Sequence, residues 1–518
     1  MSRRLCSVLV VGLLCLMIFG YANAAEPTRG GTLRIAYEAD ITGMDPHTSL
    51  GVQAMYVEQN LYNTLVTIDE NAEYVPDLAE SWEVKEDGRV YIFHLRQGVK
   101  FHDGTDFNAE AVKWNFDRLL NPAENVITRS YFTPIIESVQ VIDEHTLQIS
   151  LKYPTNTLLP ALAVYRVGFM IISPTAYKKW GKQGFSHHPV GTGPFRFVKW
   201  EQNRVIELER NPHYFKKGLP YLDRMEFNIM KDGTTRATAI RADEVDFVNE
   251  VPVEHVERLA EDANVHVYRG LDASKIYSPF NVQRKPFDDL RVRQALAGYG
   301  ISRQAISKIA FLGLAEPLLG VIPPGTRGHK DILEMYPYDP GKARKLLGAA
   351  GITAENPLEY SIMTHAAYPP LPNVATIMKT QLESLGAVRV KVEVLDRPIF
   401  LKRLREHEFD QVVNMALPFI DVNARSYLLE AGEGSLNQAN HKDMHVDELF
   451  DKWRRTVDPA AQNQVGHELQ RYIAEHMLMP VVTTRPTVQA ARDTVKGYTY
   501  MRGMKVSFES TWLAREPS

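Results

Sequence analysis

Residues 61–120 read LYNTLVTIDENAEYVPDLAESWEVKEDGRVYIFHLRQGVKFHDGTDFNAEAVKWNFDRLL, and this stretch decides the fold of the early part of the chain. Two runs of β-forming residues, 82–84 and 90–95, flank Asp87-Gly88. This dipeptide readily takes the positive φ angles of a tight turn. The pattern therefore predicts a β-hairpin.

A helix is expected after the hairpin, with Asn108 placed to cap its free amides. Both elements carry an apolar face, because apolar residues recur at period two in the second strand and at helical spacing in the helix. The residues on these faces are Tyr91, Phe93 and Leu95 in the strand and Val112, Phe116, Leu119 and Leu120 in the helix. By physical reasoning alone, this is a β-β-α packing unit with no chemistry of its own.

Three later segments follow this unit in a fixed order. They are PVGTGPFRFVKW with ERNPHYF (189–215), FNVQRKPFDDLRVRQALAGYGISRQAI (280–306) and YDPGKARKLLGAAG (338–351). Together with LAESWEV, YIFHLRQGVKFHDGT and AEAVKWNFDRLL in residues 61–120, this order resembles the dipeptide and oligopeptide class, family 5, of periplasmic solute-binding proteins of ABC importers. The resemblance covers nearly the whole chain after residue 24.

The resemblance implies a bilobed α/β fold of the type II periplasmic-binding-protein kind, with an extra subdomain inserted in the first lobe. We expect residues 25–62, 186–270 and 487–518 to form the first lobe, residues 63–185 to form the insert, and residues 271–486 to form the second lobe. A chain of 518 residues exceeds a single hydrophobic core, so at least two lobes are also expected from length.

Residues 1–24 have the pattern of a secretory signal peptide. Arg3 and Arg4 precede an apolar run at residues 5–19, and a small-residue cleavage site follows at residues 22–24. The expected location is the periplasm of a Gram-negative cell. Both cysteines, Cys6 and Cys15, lie in this segment, so disulfide and thiolate chemistry are excluded after its removal.

Composition argues against several other functions. The formal net charge of −4 disfavours a nucleic-acid partner, which calls for a basic excess. The chain has no Gly-x-Ser-x-Gly elbow and no His-Glu-x-x-His motif, so a secreted hydrolase is disfavoured. No histidine pair comes with the rest of a metal-ligand set, and neither a metal nor a cofactor is expected.

Later in the chain, helical and strand patterns alternate. Asp288 is placed to cap a helix, and residues 374–385 predict a helix that ends at Gly386. Valines at alternate positions of residues 388–394 then predict a half-buried strand. This order indicates an α/β arrangement for the second lobe.

The resemblance implies several residues that line a solute cleft. Asp40 lies in the irregular loop at residues 38–47, with a solvated turn as the alternative role. Tyr131 in the insert and Tyr277 in the second lobe are expected to converge with it on one cleft. His365 and Tyr368, in THAAYPP, occupy a loop that resembles a cleft-lining loop of the family.

Residues 409–427, FDQVVNMALPFIDVNARSY, decide the ligand hypothesis. Peptide-binding relatives carry Gly-Trp here, followed three positions after the Trp by an acid that holds the ligand's ammonium. In this chain Ala416-Leu417 replaces that pair and Ile420 takes the acid's position, so the peptide signature is missing. Asp421 would replace the acid only if the loop is shifted by one residue, and an exposed loop carboxylate is the alternative.

Four further residues complete the candidate site. Asn414, Leu417 and Phe419 suggest the cleft wall, the latter two a more apolar one, with core packing of Leu417 and Phe419 as the alternative. Arg397 could bind a ligand carboxylate, and an exposed arginine at a helix entry is the alternative. The expected function is therefore capture of a small solute, acidic or aromatic rather than peptide, for the permease subunits of an inner-membrane ABC transporter. The protein should act as a monomer. A di- or oligopeptide ligand stays open as the alternative.

Overall fold

The structure is a computed structural model, and it describes residues 26–49, 52–70, 73–126, 128–163, 169–416, 432, 437–501 and 506–514. The strands are β1 Thr32–Tyr37, β2 Val66–Ile68, β3 Tyr74–Pro76, β4 Ala79–Lys85, β5 Val90–Leu95, β6 Ile136–Asp143, β7 Thr146–Leu151, β8 Phe195–Glu201, β9 Val205–Arg210, β10 Arg224–Ile229, β11 Phe247–Val248, β12 Val265–Tyr277, β13 Leu358–His365, β14 Val388–Leu395, β15 Gln411–Val412, β16 Asn414–Ala416, β17 Val481–Arg492, β18 Val495–Lys496 and β19 Trp512–Leu513.

The helices alternate with these strands through most of the chain. They are α1 Val52–Leu61, α2 Ala109–Leu120, α3 Arg129–Phe132, α4 Leu158–Ala163, α5 Pro174–Phe185, α6 Gly233–Arg241, α7 Val256–Ala260, α8 Leu290–Arg293, α9 Arg303–Ala310, α10 Pro340–Ala349, α11 Pro370–Glu383, α12 Arg397–Arg405, α13 Met444–Arg455 and α14 Pro459–Glu475. Within the described ranges, no helix combines the length and the apolar character that crossing a bilayer requires.

The largest sheet runs in the order β16-β12-β17-β11-β1-β10-β9-β8. At its centre β1 pairs in parallel with both β10 and β11, whereas the long strands β12 and β17 pair antiparallel. Gly270 pairs with Thr487, and Leu271 pairs with Pro486. The two lobe boundaries predicted from sequence therefore fall opposite each other on this strand pair, although the division itself stays a prediction.

The predicted insert, residues 63–185, contains a sheet and a core of its own. Its four strands run in the order β4-β5-β7-β6, and β4 and β5 form the predicted hairpin. Tyr91, Phe93 and Leu95 are buried, as expected for one strand face. Asn108 caps α2 by accepting a hydrogen bond from the amide of Ala111 at 3.0 Å, which confirms the predicted helix start.

A second α/β unit follows, built on the parallel sheet β14-β13-β15. The valine-rich strand is confirmed as β14. Two local predictions were displaced: Asp289 rather than Asp288 caps α8, through the amide of Arg291, and α11 begins at Pro370 instead of residue 374. Prolines are tolerated in the first helical turn, where no backbone amide donor is needed, so they do not delay a helix start.

Candidate functional site

Polar side chains gather where the parallel strands of two sheets end. Glu38 follows β1, and Glu250 lies two residues beyond β11 in the large sheet. In the three-stranded sheet, His365 ends β13 and Arg397 lies two residues beyond β14. Ligands of α/β proteins commonly bind outside the carboxyl ends of such strands, so these edges are the natural place for a site.

Three of the residues predicted from sequence form one hydrogen-bonded chain. Asn414 Nδ2 donates to the hydroxyl oxygen of Tyr277 at 2.8 Å, and Asn414 Oδ1 lies 3.3 Å from His365 Nε2. The pairing of β12 with β16 places Tyr277 directly opposite Asn414 and so fixes this contact. The structure therefore brings together Tyr277, Asn414 and His365, which lie far apart in the sequence.

The imidazole of His365 is neutral and has a defined orientation. Its Nδ1 accepts a hydrogen bond from the amide of Ala367 at 3.2 Å, so Nε2 carries the proton and donates to the amide oxygen of Asn414. Burial lowers the pKa of His365, the hydrogen bond to Asn414 opposes this, and the positive charge of Arg397 lowers it further. Phe400 packs edge-on against the ring, at 4.8 Å between centroids.

Arg397 provides an available positive charge beside this chain. It opens α12 and its side chain is exposed. Among the described residues no carboxylate forms an ion pair with it, although its charge acts on His365. An arginine presents a planar fork of donors that matches a carboxylate, so Arg397 can bind an acidic group in the cleft.

A second group links the two sheet edges. Arg485, on β17, forms an ion pair with Glu250 at 3.0 Å, and its guanidinium lies 5.0 Å from the ring centroid of Tyr368. Glu38 accepts hydrogen bonds from Gln53 and from Asn249, each at 3.3 Å. Burial and the charge of Glu250 raise the pKa of Glu38.

The remaining predicted residues are placed differently. The carboxylate of Asp40 accepts hydrogen bonds from Trp200 Nε1 at 2.9 Å and from the amide of Asn203 at 2.6 Å, and so braces its loop against the β8–β9 turn. Tyr131 lies on α3 and packs against the core of the insert instead of joining the Tyr277 chain. The residues Leu417, Phe419, Ile420 and Asp421 lie outside the described residues.

Sequence reasoning missed Glu38, Glu250 and Arg485. A usable signal existed for the first two, because each is an acid just beyond a buried parallel strand. No comparable signal marks Arg485, which lies within β17, and its role depends on the contacts with Glu250 and Tyr368.

Comparison with known proteins places these features in context. Residues 73–433 match the profile of Bacterial extracellular solute-binding proteins, family 5 Middle. The glutathione-binding protein GsiB of Salmonella typhi is 38% identical over 318 residues, which span 61% of this chain and 61% of that protein. The match thus covers less than two thirds of the relative's length.

Two solved structures share the fold over nearly the whole chain. The periplasmic binding protein AgaA from A. tumefacien R10, in complex with agropinic acid, is 27% identical with a TM-score of 0.80, covering 94% of this chain and 99% of that one. The periplasmic binding protein DppA from Helicobacter pylori, in complex with the peptide STSA, is 26% identical with a TM-score of 0.80 at the same coverage. These relatives are binding proteins and not enzymes.

Proposed function

The chain belongs to the bacterial extracellular solute-binding proteins of family 5, and from this premise we propose that it captures a small carboxylate-bearing solute between two lobes for an ABC importer. The observation that carries the proposal is the exposed guanidinium of Arg397 beside the ordered chain of Tyr277, Asn414 and His365. The protein acts in the periplasm and delivers its solute to the permease subunits.

Charge balance in the cleft favours an anionic group at Arg397. Arg485 is already paired with Glu250, and Glu38 accepts hydrogen bonds from the side-chain amides of Gln53 and Asn249. A solute carboxylate would therefore bind most favourably at Arg397, where it displaces no carboxylate of the described residues. Charge-assisted, bidentate hydrogen bonds of this kind are the strong ones.

Neutral polar groups add recognition beside the charge. The side chains of His365, Asn414 and Tyr277 hold one another in place, so they need no further ordering when a solute binds beside them. Such a solute must bind the closed arrangement better than the open one, because only a difference in affinity drives closure.

A peptide is the second candidate ligand. It is favoured by the structural likeness to DppA, which is described in complex with the peptide STSA, and by the likeness to the glutathione-binding GsiB. A peptide receptor must pair a buried ammonium, since an unpaired charge removed from water costs several kcal/mol. In this chain Asp421 is the acid that would have to take that role.

A screen of candidate solutes tests the proposal. Opines, dicarboxylic acids, aromatic acids, γ-glutamyl peptides and ordinary dipeptides are tested by thermal shift and calorimetry. A true solute at 100-fold excess over its Kd should stabilise the protein by about 2.7 kcal/mol. Arg397→Gln should then weaken binding of an acidic solute by roughly 10- to 100-fold, the scale of a charged hydrogen bond.

Arg405→Gln is the matched control, because Arg405 is exposed at the other end of the same helix. It should leave the affinity unchanged. Equal affinity in the Arg397→Gln protein contradicts the carboxylate site. Submicromolar binding of dipeptides that Asp421→Asn abolishes would establish the peptide alternative.

A further inference from the structure

The insert is fixed to the segment that precedes it by a buried ion pair. Arg118 on α2 donates to the two carboxylate oxygens of Asp45 at 3.1 and 2.5 Å, and to Nδ1 of His47 at 3.0 Å. Burial alone would raise the pKa of Asp45, but the hydrogen bonds and charge of Arg118 lower it below its ordinary value. The pair therefore stays ionised, and breaking it is costly.

A second attachment lies beside the first. His47, whose Nδ1 accepts from Arg118, donates through Nε2 to the carbonyl of Met170 in the insert at 2.9 Å. With α2 held by these buried contacts, the insert and residues 25–62 should move as one body during any opening of the cleft.

The insert also touches the carboxyl end of α13. The hydroxyl of Thr155 donates to the carbonyl of Arg454 at 3.0 Å, and the amide of Asn156 donates to the same oxygen at 3.2 Å. The side-chain amide of Asn156 donates to the carbonyls of Trp453 at 3.1 Å and Thr456 at 2.7 Å. Thr155 and Asn156 thus donate to carbonyl groups in the last turn of α13 and just beyond it, the region where a helix runs out of amide donors of its own.

Neighbouring contacts orient the loop that carries Thr155 and Asn156. Tyr91 on β5 donates its hydroxyl to the carbonyl of Thr155 at 3.3 Å, which ties the loop to the insert's own sheet. The guanidinium of Arg455 lies 4.5 Å from the ring centroid of Tyr153. The bonds across the contact are polar, and water can replace them when the surfaces separate, as suits a contact that forms and breaks.

We propose that Thr155 and Asn156 form a latch that holds the closed form of the protein and so raises solute affinity without touching the solute. The inference rests on the proposed capture function. The chain crosses between the two lobes on β12 and β17, so opening there carries α13 away from the insert. Opening must then break the four hydrogen bonds of the latch.

The latch is tested by measuring the closed population directly, without any solute. Spin labels are placed at Ile142→Cys on β6 and Met444→Cys at the start of α13, two exposed positions on either side of the contact. The exported chain has no other thiol, because Cys6 and Cys15 lie in the predicted signal peptide. Pulsed electron paramagnetic resonance then gives the distribution of label distances.

Asn156→Ala should shift this distribution to longer distances, by roughly tenfold in the ratio of closed to open molecules, since two ordinary hydrogen bonds are lost. Asn156→Asp should shift it further, because a carboxylate would face carbonyl oxygens. Asn121→Ala is the matched control, since the side-chain oxygen of Asn121 accepts a hydrogen bond from the amide of Ala123 within the insert. It should leave the distances unchanged.

Two results would overturn the latch proposal. One is an unchanged distribution of label distances in both Asn156 variants, and the other is an equal shift of that distribution in the Asn121 control. If Asn156→Ala does not fold, Thr155→Val removes one bond and should give a smaller shift in the same direction. The measurement needs no ligand, so failure to identify a solute would count against the proposed function alone.

Discussion

A buried acid on α1 gives a sharp prediction for pH-dependent stability. Glu58, on α1, is 2% exposed, and its carboxyl group accepts a hydrogen bond from the hydroxyl of Ser49 at 2.7 Å. Burial raises the pKa of Glu58 to about 8, with the hydrogen bond from Ser49 opposing and the charge of Asp45 adding to the rise. Replacing it by glutamine keeps the shape and removes the ionisable group.

The direction of the stability change follows from the number of protons that the folded and unfolded chains bind. Between pH 4.5, the ordinary pKa, and about 8, the unfolded chain has lost this proton while the folded chain retains it. Stability contributed by Glu58 therefore falls as pH rises through this window, by about 1.4 kcal/mol per pH unit. Relative to the parent, Glu58→Gln should gain less than about 1 kcal/mol at pH 5 and about 3 kcal/mol by pH 7.

Urea unfolding at pH 5, 6, 7 and 8 measures this difference. Glu110→Gln serves as the control, because Glu110 is an exposed acid in the first turn of α2. Comparing variants at each pH isolates Glu58 from the other titrating groups, including His47, whose pKa burial and the charge of Arg118 lower to about 4. A difference between Glu58→Gln and the parent that does not grow with pH would refute the reasoning.

Two further predictions concern buried contacts of residues near the predicted insert. Arg118→Met should lower the free energy of unfolding in urea by about 3 to 5 kcal/mol, because it leaves the carboxylate of Asp45 buried without its partner. The double variant Asp45→Asn/Arg118→Met should recover much of this loss, and equal stability of the single and double variants would contradict the prediction. Gly193→Ala should destabilise the protein by about 1 to 3 kcal/mol, because the added Cβ would overlap the backbone of Leu61. Gly348→Ala, in open space on α10, should be neutral or stabilising, and similar melting temperatures for the two variants would contradict the prediction.

Local elements could be predicted because their signals are local. The Asp87-Gly88 turn and the Asn108 cap each depend on a few adjacent residues, and both formed as expected. The start of a helix is harder to predict where two neighbouring residues can both cap it. Asp288 and Asp289 are both able to cap a helix, and only the position of the Arg291 amide selects Asp289.

The site was predictable only in part, because its contacts join distant residues. The family resemblance indicated Tyr277 and His365, but their connection through Asn414 depends on the register between β12 and β16. Asp40 was also indicated by the resemblance, but its side chain braces its own loop. Its hydrogen-bond donors, Trp200 and the Asn203 amide, lie about 160 residues away in the sequence, so the loop alone could not indicate a bracing role.

The placement of the latch and of the cleft groups suggests how affinity is divided. The solute would bind where the carboxyl ends of strands from two sheets meet, at Arg397 and the His365 chain, while Asn156 holds the end of α13 elsewhere. As proposed, the latch and the solute contacts both favour the same closed form, so their free energies would add to one closing equilibrium. A stronger latch would therefore raise affinity for every solute alike, whereas changes at Arg397 would alter which solute is preferred. Affinity and specificity can thus be changed separately in this protein.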